Sequence, residues 1–291
     1  MENPLPVREL SAVRRAALAQ LAAAGVPSPA ADADLLACHV LRVERSELKL
    51  RELRGESFSE PQYALYASLL ERRAARIPLQ HLTGEGHFRY LTLKVGPGVF
   101  SPRPETETVV QLGLDFLAEQ GLAAPRCVDL CSGSGAIAAA LASEAPQAAV
   151  WAVELSDDAI GYTRANCEPL GVTVLHRDAS ALPPELHGTM DLVVSNPPYI
   201  PPNAVPREPE VRDHDPQMAL YGLGEDGLQI PRAVAAEARR LLRPGGLFVM
   251  EHAEVQQESA AQLLRETGFT SVAGHPDLSG RPRSTSGRAP R

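Results

Sequence analysis

Beyond residue 125 the chain alternates short apolar runs with segments of helical periodicity, and this alternation limits the folds open to it more than any other feature. Cys127-Val128-Asp129-Leu130, Ala149-Val150-Trp151-Ala152-Val153-Glu154, Val172-Thr173-Val174-Leu175, residues 190–195 and Leu247-Phe248-Val249-Met250 read as strands. Residues 135–142, 157–167, 227–242 and 255–266 read as the intervening helices, and 269–273 as a further extended stretch. Strands this apolar need cover on both faces, and crossover helices supply it. An α/β chain with a mostly parallel sheet is expected. Ligands in such sheets bind beyond the carboxyl ends of the strands.

One strand has an unusual end. Met190-Asp191-Leu192-Val193-Val194-Ser195 runs into Asn196-Pro197-Pro198-Tyr199-Ile200. Proline has no N–H, fixes its own φ and disfavours helix in the residue before it, so neither strand nor helix continues and the loop is stiff. A stiff loop carrying one side-chain amide, one backbone carbonyl and one aromatic ring suits a flat polar group. Asn196, Pro197, Pro198 and Tyr199 are therefore the candidate catalytic residues. The bland alternative is a turn that merely ends a strand.

The first strand leads into Cys131-Ser132-Gly133-Ser134-Gly135-Ala136. Glycines allow a tight turn and close approach of a ligand, and the helix that follows directs free N–H groups at it. Glu154 ends the next strand and can accept from two ribose hydroxyls. Gly133, Gly135 and Ala138 also fit the dinucleotide pattern GxGxx(G/A), which keeps a nicotinamide cofactor open. Asp129 favours S-adenosylmethionine (SAM), because an acid there suits an ammonium group and repels a pyrophosphate. Asp178 and Ala179, after the third strand, fall where an adenine edge would lie; Asp178 either accepts from the exocyclic amine or caps a turn.

Residues 1–80 show no period-two alternation. Stripes through Val7, Leu10, Val13, Leu18 and Leu21, then through Ala33, Leu36, Ala37 and Val40, with a short helix from Ser46 and another through Tyr63, Tyr66, Leu69 and Leu70, predict a small helical bundle. His87 to Val95 reads as a hairpin. In Ser101-Pro102-Arg103-Pro104-Glu105-Thr106-Glu107, Pro104 suits a first helical turn. Arg103 and Glu105 either initiate that helix or face a ligand. The division expected is a helical domain over 1–82, a hairpin linker over 83–98 and a catalytic domain over 99–291.

Charge separates along the chain. Of the net −8, residues 1–95 carry 13 basic and 11 acidic side chains, leaving 15 and 25 for the remainder. An acidic larger domain is a poor match to bare nucleic acid. No apolar run reaches the length of a membrane span, and Met1-Glu2-Asn3-Pro4 lacks the pattern of a secretion signal, so a cytoplasmic protein is expected. Cys38, Cys127, Cys131 and Cys167 form no CxxC pair and read as free thiols rather than metal ligands. The basic run over 281–291 reads as a solvated tail.

The glycine loop, Asp129 and Glu154 resemble those of class I SAM-dependent methyltransferases, and Asn196-Pro197-Pro198-Tyr199 resembles their amino-methylating branch. Gln80-His81-Leu82-Thr83-Gly84, the 101–107 segment, Glu208-Pro209-Glu210-Val211, Gly224-Glu225-Asp226-Gly227-Leu228, Arg243-Pro244-Gly245-Gly246 and Asp277-Leu278-Ser279-Gly280-Arg281 extend the likeness over nearly the whole chain. Together they are similar to HemK-type release factor glutamine methyltransferases. That resemblance implies a Rossmann-like catalytic domain with a seven-stranded sheet, a helical domain docking the substrate, SAM as cofactor, and N5-methylation of the glutamine in the Gly-Gly-Gln tip of peptide chain release factors by a monomer. It implies cofactor contacts from Asp129, Cys131, Ser132, Gly133, Ser134, Gly135, Glu154, Asp178, Ala179 and Asn196, and substrate contacts from Asn196, Pro197, Pro198, Tyr199, Arg103 and Glu105. The chain departs from the family pattern at Cys131 and Ala253, where glycine is usual, and at Arg283-Ser284-Thr285-Ser286-Gly287, where the last strand is usually apolar and a loose edge is expected. An adenine or guanine methyltransferase and a non-catalytic SAM-binding assembly factor remain the alternatives.

Overall fold

The structure is a computed structural model that describes residues 8–291; Val7 and Met1-Glu2-Asn3-Pro4 lie outside the described residues. In chain order the elements are α1 (Leu10–Ala23), α2 (Pro29–Leu41), α3 (Arg45–Leu53), α4 (Glu60–Ala74), α5 (Leu79–Thr83), β1 (Glu85–Phe88), β2 (Leu91–Lys94), α6 (Glu107–Gln120), β3 (Arg126–Leu130), α7 (Ala136–Glu144) and β4 (Ala149–Glu154). They continue with α8 (Ile160–Cys167), β5 (Thr173–His176), β6 (Met190–Ser195), α9 (Pro209–His214), α10 (Gln217–Leu220), α11 (Gln229–Leu241), β7 (Leu242–Glu251), α12 (Gln257–Glu266), β8 (Thr270–Pro276) and β9 (Pro282–Arg288). Two compact units result: the described residues up to Gly84 together with Arg207–His214, and Glu85–Pro206 together with Asp215–Arg291.

In the first unit α1 to α5 enclose a core of Leu10, Leu21, Leu36, Leu48, Phe58 and Tyr66. Pro29 opens α2 and Pro61 lies in the first turn of α4, where a missing N–H costs nothing. Gln62 Oε1 accepts the Ser59 N–H at 2.9 Å, closing a capping box at the head of α4. Tyr66 is fully buried, stacks on Phe58 at 5.0 Å between centroids and donates its hydroxyl to Ala33 O at 3.0 Å, so its polar tip is satisfied. Arg73 donates to Asp32 Oδ2 and Glu210 Oε1, both at 2.7 Å, and Arg76 Nη2 donates to Glu210 Oε2 at 2.5 Å. Burial opposes ionisation of Glu210, but the two guanidinium groups win and hold its carboxyl down to about 2. This is how α9, distant in sequence, becomes part of the helical unit.

In the second unit the sheet order is β5-β4-β3-β6-β7-β9-β8. The first five of these strands run parallel, and β9 is antiparallel to both its neighbours. Side chains alternate between two cores: Leu192, Val194, Leu247 and Val249 face α6 and α7, whereas Val193, Phe248 and Met250 face α11 and α12. β1 and β2 pair as the predicted antiparallel hairpin.

The C-terminal segment corrects the sequence reading twice. Residues 282–288 form a strand held between β7 and β8 rather than a solvated tail, and it is not an edge. Its Ser284 and Thr285 are fully buried without being apolar. A histidine from each side reaches a hydroxyl: His252, just past β7, meets Thr285 Oγ1 through Nε2, and His275 of β8 meets Ser286 Oγ through Nε2, both at 2.8 Å. Because His252 Nδ1 donates to the Ala253 carbonyl at 2.9 Å, its Nε2 accepts from Thr285. Burial lowers the pKa of both histidines, which keeps them neutral in these roles. The β7 strand is also longer than expected, starting at Leu242 ahead of the Pro244-Gly245-Gly246 turn. Among the described residues no helix is long and apolar enough to cross a membrane, and no cluster of His, Cys, Asp and Glu is arranged to hold a metal ion.

Candidate active site

The strand order reverses between β3, which continues to β4 and β5, and β6, which continues to β7. A crevice forms beyond the carboxyl ends at such a point. Leu130 and Ser195 are partners in the β3–β6 register, and Ser195 Oγ donates to Leu130 O at 2.7 Å. The glycine loop and the Asn196 loop, 65 residues apart in sequence, therefore leave the sheet side by side.

The glycine loop is braced from beneath. Ser132 exchanges bonds with Val153, its N–H donating to the carbonyl and its Oγ accepting the amide, both at 2.9 Å, and donates its hydroxyl to Asp129 O at 2.9 Å. Thr163 Oγ1 donates to Gly133 O at 2.7 Å and Asn166 Nδ2 to Ser134 O at 2.9 Å, so α8 holds the loop from below. Gly135 has φ +80°, and a Cβ there would lie 2.4 Å from Cys167 Sγ. Thr163 and Asn166 were not legible in sequence, because their partners are carbonyls of another segment.

Glu154 is buried. Its Oε2 accepts the Gly133 N–H at 2.6 Å and its Oε1 the Ser156 N–H at 2.7 Å, leaving each carboxylate oxygen a further lone pair. Asp129 is fully buried; Oδ2 accepts from the Ala138 N–H at 3.2 Å, while Oδ1 has no hydrogen-bond partner. Burial, with the Glu154 carboxylate adding to it and against the pull of the Ala138 N–H, pushes this carboxyl up to about 8. An orphaned buried carboxylate oxygen next to a glycine loop is completed by a cation and disfavoured by a phosphate. The donor set thus fits a cationic cofactor such as SAM better than a dinucleotide.

Cys131 adopts φ +63° without being glycine. Its thiol is pushed up by burial and by the Glu154 and Asp129 carboxylates, so it is not poised as a nucleophile. The left-handed conformation costs a non-glycine residue about 1–2 kcal/mol, and a glycine gives back about 0.4–1 kcal/mol through the entropy of its unfolded chain. Cys131→Gly is accordingly expected to be tolerated and slightly stabilising, by less than ~1 kcal/mol. A urea midpoint that falls at constant slope would contradict this.

In the second loop Asn196 is half-buried, and its Nδ2 donates to Thr106 Oγ1 at 3.2 Å. Asn196 Oδ1 and the Pro197 carbonyl accept no hydrogen bond from the described residues. Thr106 Oγ1 donates in turn to Glu251 Oε2 at 2.7 Å, and the Tyr199 hydroxyl donates to Glu251 Oε1 at 3.3 Å. Burial pushes the Glu251 carboxyl up to about 7 against the pull of Thr106, Arg283 and Tyr199, and burial beside Glu251 pushes the Tyr199 phenol up.

The backbone of 220–227 clamps the same loop. Ile200 N–H donates to Leu220 O at 2.8 Å and Gly222 N–H to Ile200 O at 3.1 Å. Gln256 Nε2 donates to both Tyr199 O and Asp226 O, at 2.9 and 3.0 Å. A Cβ on Gly222 would lie 1.8 Å from Gly227 O and 2.6 Å from Pro198 O, and one on Gly227 would lie 2.4 Å from Tyr199 O. Sequence reasoning missed Gly222, Gln256, Glu251 and Thr106 as parts of the site. The 224–228 glycine run was the one available signal.

The remaining expected residues are less central. Arg103 lies over the Phe100 ring and donates to Asp215 Oδ2 at 2.8 Å, while Glu105 is half-buried in the first turn ahead of α6. Asp178 Oδ1 accepts from the Ser180 N–H at 2.8 Å and hydroxyl at 2.7 Å, which is the turn-capping arrangement, and it is exposed. Ala179 is buried in the α11-side core. Arg177 N–H donates to Glu154 O at 2.8 Å, which draws 177–179 beside the glycine loop.

Comparison with known proteins adds the following. A family model described as the PrmC N-terminal domain matches residues 12–84, and one described as the Methyltransferase small domain matches residues 90–207. The chain is 49% identical over 271 residues to the release factor glutamine methyltransferase of Streptomyces coelicolor, covering 92% of this chain and 94% of that one. It is 48% identical to the enzyme of the same name from Mycolicibacterium smegmatis, over 92% and 93% of the two chains. A third relative, a 4-amino-L-phenylalanine/4-methylamino-L-phenylalanine methyltransferase of Streptomyces pristinaespiralis, is 39% identical over 88% of this chain and 87% of its own. Among solved structures, the delta-N METTL16 MTase domain superposes with a TM-score of 0.50 at 18% identity, over 68% of this chain and 88% of that one, a likeness of fold.

Proposed function

The chain belongs to the release factor glutamine methyltransferase family, and from that premise we propose that it transfers a methyl group from SAM to the side-chain amide nitrogen of the glutamine in the Gly-Gly-Gln tip of peptide chain release factors. The observation that carries the reading is Asn196: a rigid side-chain amide, tied through Nδ2, whose Oδ1 is unengaged beside the glycine loop. The helical unit is the proposed docking surface for the release factor. The acidic balance beyond residue 95 speaks against a nucleic-acid substrate.

SAM, when bound, supplies an electrophilic methyl on a positive sulfur. Asp129 would hold its ammonium group, Glu154 its ribose hydroxyls, and the Cys131–Gly135 backbone would line the approach. An amide nitrogen is a poor nucleophile because its lone pair is delocalised into the carbonyl. Two acceptors, Asn196 Oδ1 and Pro197 O, would take its two hydrogens, orient it and favour a pyramidal nitrogen, each worth roughly 1–3 kcal/mol where a buried N–H would otherwise be stranded. Tyr199 would pack against the flat carboxamide and exclude water, and Pro197 and Pro198 keep both acceptors from relaxing. The proton leaves after transfer, so no general base is required. A glutamate at the tip has no N–H to offer and is rejected.

The direct test is incubation of the enzyme and SAM with a release factor, followed by peptide mapping. A gain of one methylene on the tip glutamine is expected. An unmodified tip would overturn the reading, and turnover of free 4-amino-L-phenylalanine in the same assay would replace it with a small-amine substrate.

The raised Asp129 carboxyl gives the cofactor step a pH signature. Below about 8 the unliganded enzyme carries this group protonated. An ammonium beside it favours the carboxylate, so binding near neutrality releases a proton and affinity for SAM rises with pH, by up to about tenfold per unit between pH 6 and 8. Calorimetry in two buffers of different ionisation enthalpy counts that proton, and Asp129→Asn should remove both the release and the slope.

A further inference from the structure

An asparagine amide can present either its oxygen or its NH₂ to an incoming group, and only the oxygen serves a substrate that offers N–H. In this site something must choose. Thr106 Oγ1 lies 3.2 Å from Asn196 Nδ2 and 2.7 Å from Glu251 Oε2. A hydroxyl has one hydrogen. While that hydrogen goes to the carboxylate, Thr106 can only accept from Asn196, so Nδ2 turns to Thr106 and Oδ1 faces away from it. The Tyr199 hydroxyl donates to the other carboxylate oxygen at 3.3 Å, so Glu251 reads the orientation of both functional side chains of the loop.

We propose that Glu251 and Thr106 are positioning residues forming a hydrogen-bond relay that fixes which end of the Asn196 amide meets the substrate. The proposal rests on the function proposed above and assigns it a source of selectivity: a relay running Asn196 to Thr106 to Glu251 selects a carboxamide, and its reversal selects an acceptor such as a carboxylate. Three observations support it. Glu251 is buried, as is Thr106, so water does not scramble the chain. Arg283, facing from β9, favours ionised Glu251, while Glu105 opposes it and Tyr199 donates to it. No other residue of the described chain hydrogen-bonds the Asn196 side chain.

Glu251→Gln is the informative change. With the Tyr199 hydroxyl still donating to the oxygen of the new side chain, its NH₂ faces Thr106 Oγ1, the Thr106 hydrogen is turned toward Asn196, and the amide flips. Thr106→Val removes the relay without changing the shape, and Thr106→Ser keeps it.

The experiment measures kcat on the release factor at saturating SAM, SAM affinity, thermal midpoint, and binding of tip peptides ending Gly-Gly-Gln or Gly-Gly-Glu. Thr106→Ser should stay within about threefold of the parent, while Thr106→Val and Glu251→Gln lose about 10²-fold in kcat with SAM affinity and midpoint preserved. In Glu251→Gln the preference between the two peptides should shift toward Gly-Gly-Glu. The parent kcat should rise with pH through about 7 as Glu251 ionises, and this limb should flatten in Glu251→Gln. Equal losses in Thr106→Ser and Thr106→Val, or a Thr106→Val variant at the parent rate, would overturn the relay while leaving the function intact. If the parent itself transfers no methyl to the release factor, the functional reading fails and the relay fails with it. If variants unfold, the peptide preference of the parent across pH 6 to 8 decides: a constant preference ends the proposal.

Discussion

Asn196→Ala is expected to slow methyl transfer on the order of 10²–10³-fold while SAM affinity changes by less than about threefold. The loss falls on kcat, because the Asn196 oxygen is worth most when the amide nitrogen is drawn out of conjugation, and the Pro197 carbonyl alone cannot orient both hydrogens. The cofactor loop keeps its own supports in the variant: Ser132 on Val153, Thr163 on Gly133 and Asn166 on Ser134 involve no atom of Asn196. Single-turnover rates with prebound SAM separate the two effects. A variant that transfers methyl at the parent rate would remove Asn196 from the chemistry.

Gly222→Ala should be nearly as damaging from a residue that offers no functional group. Its Cβ would sit 1.8 Å from Gly227 O and 2.6 Å from Pro198 O, and both are backbone atoms without a rotamer to swing away. Either the 222–227 turn or the Asn-Pro-Pro-Tyr loop must move. A displacement of about 1 Å at a positioning loop costs on the order of 10²-fold in rate. Gly161→Ala is the control, since a Cβ there meets nothing within 4 Å and the residue lies in α8. It should be neutral or stabilising by about 0.5–1 kcal/mol. If Gly222→Ala retains the parent kcat, the clamp has no role in catalysis.

These two variants mark the boundary of what could be read in advance. Asn196 is legible because two prolines after a buried strand leave the chain little conformational choice, and Asp129 and Glu154 because they lie in the last two residues of their strands at a known spacing from the glycine loop. Gly222 is not legible: its constraint is the proximity of another turn's carbonyl, and glycine has no side chain through which a sequence could announce that. Glu251 belongs to the same class. In sequence it is one acid at the end of a strand, and its role comes from Thr106, 145 residues away, and from a desolvated position that raises its pKa. The C-terminal strand was misread for a related reason. Arg283-Ser284-Thr285-Ser286-Gly287 carries no apolar signal, yet the Thr285 and Ser286 hydroxyls are buried at little cost once two histidines meet their hydrogen bonds.

Local order, by contrast, follows from the chain's own chemistry. Hydrophobic period, proline at helix starts and glycine at left-handed turns act over a few residues, so the alternation of strand and helix, the helical character of residues 10–83 and the stiffness of the Asn196 loop are all determined by sequence. Tertiary structure alone decided that Leu130 pairs with Ser195, that α9 joins the helical unit through Glu210, that β9 fills an interior place in the sheet, and which end of the Asn196 amide is left free. The physical reason is common to all four. Hydrogen bonds and desolvation depend on distances across the fold, and those are set only when both cores have closed.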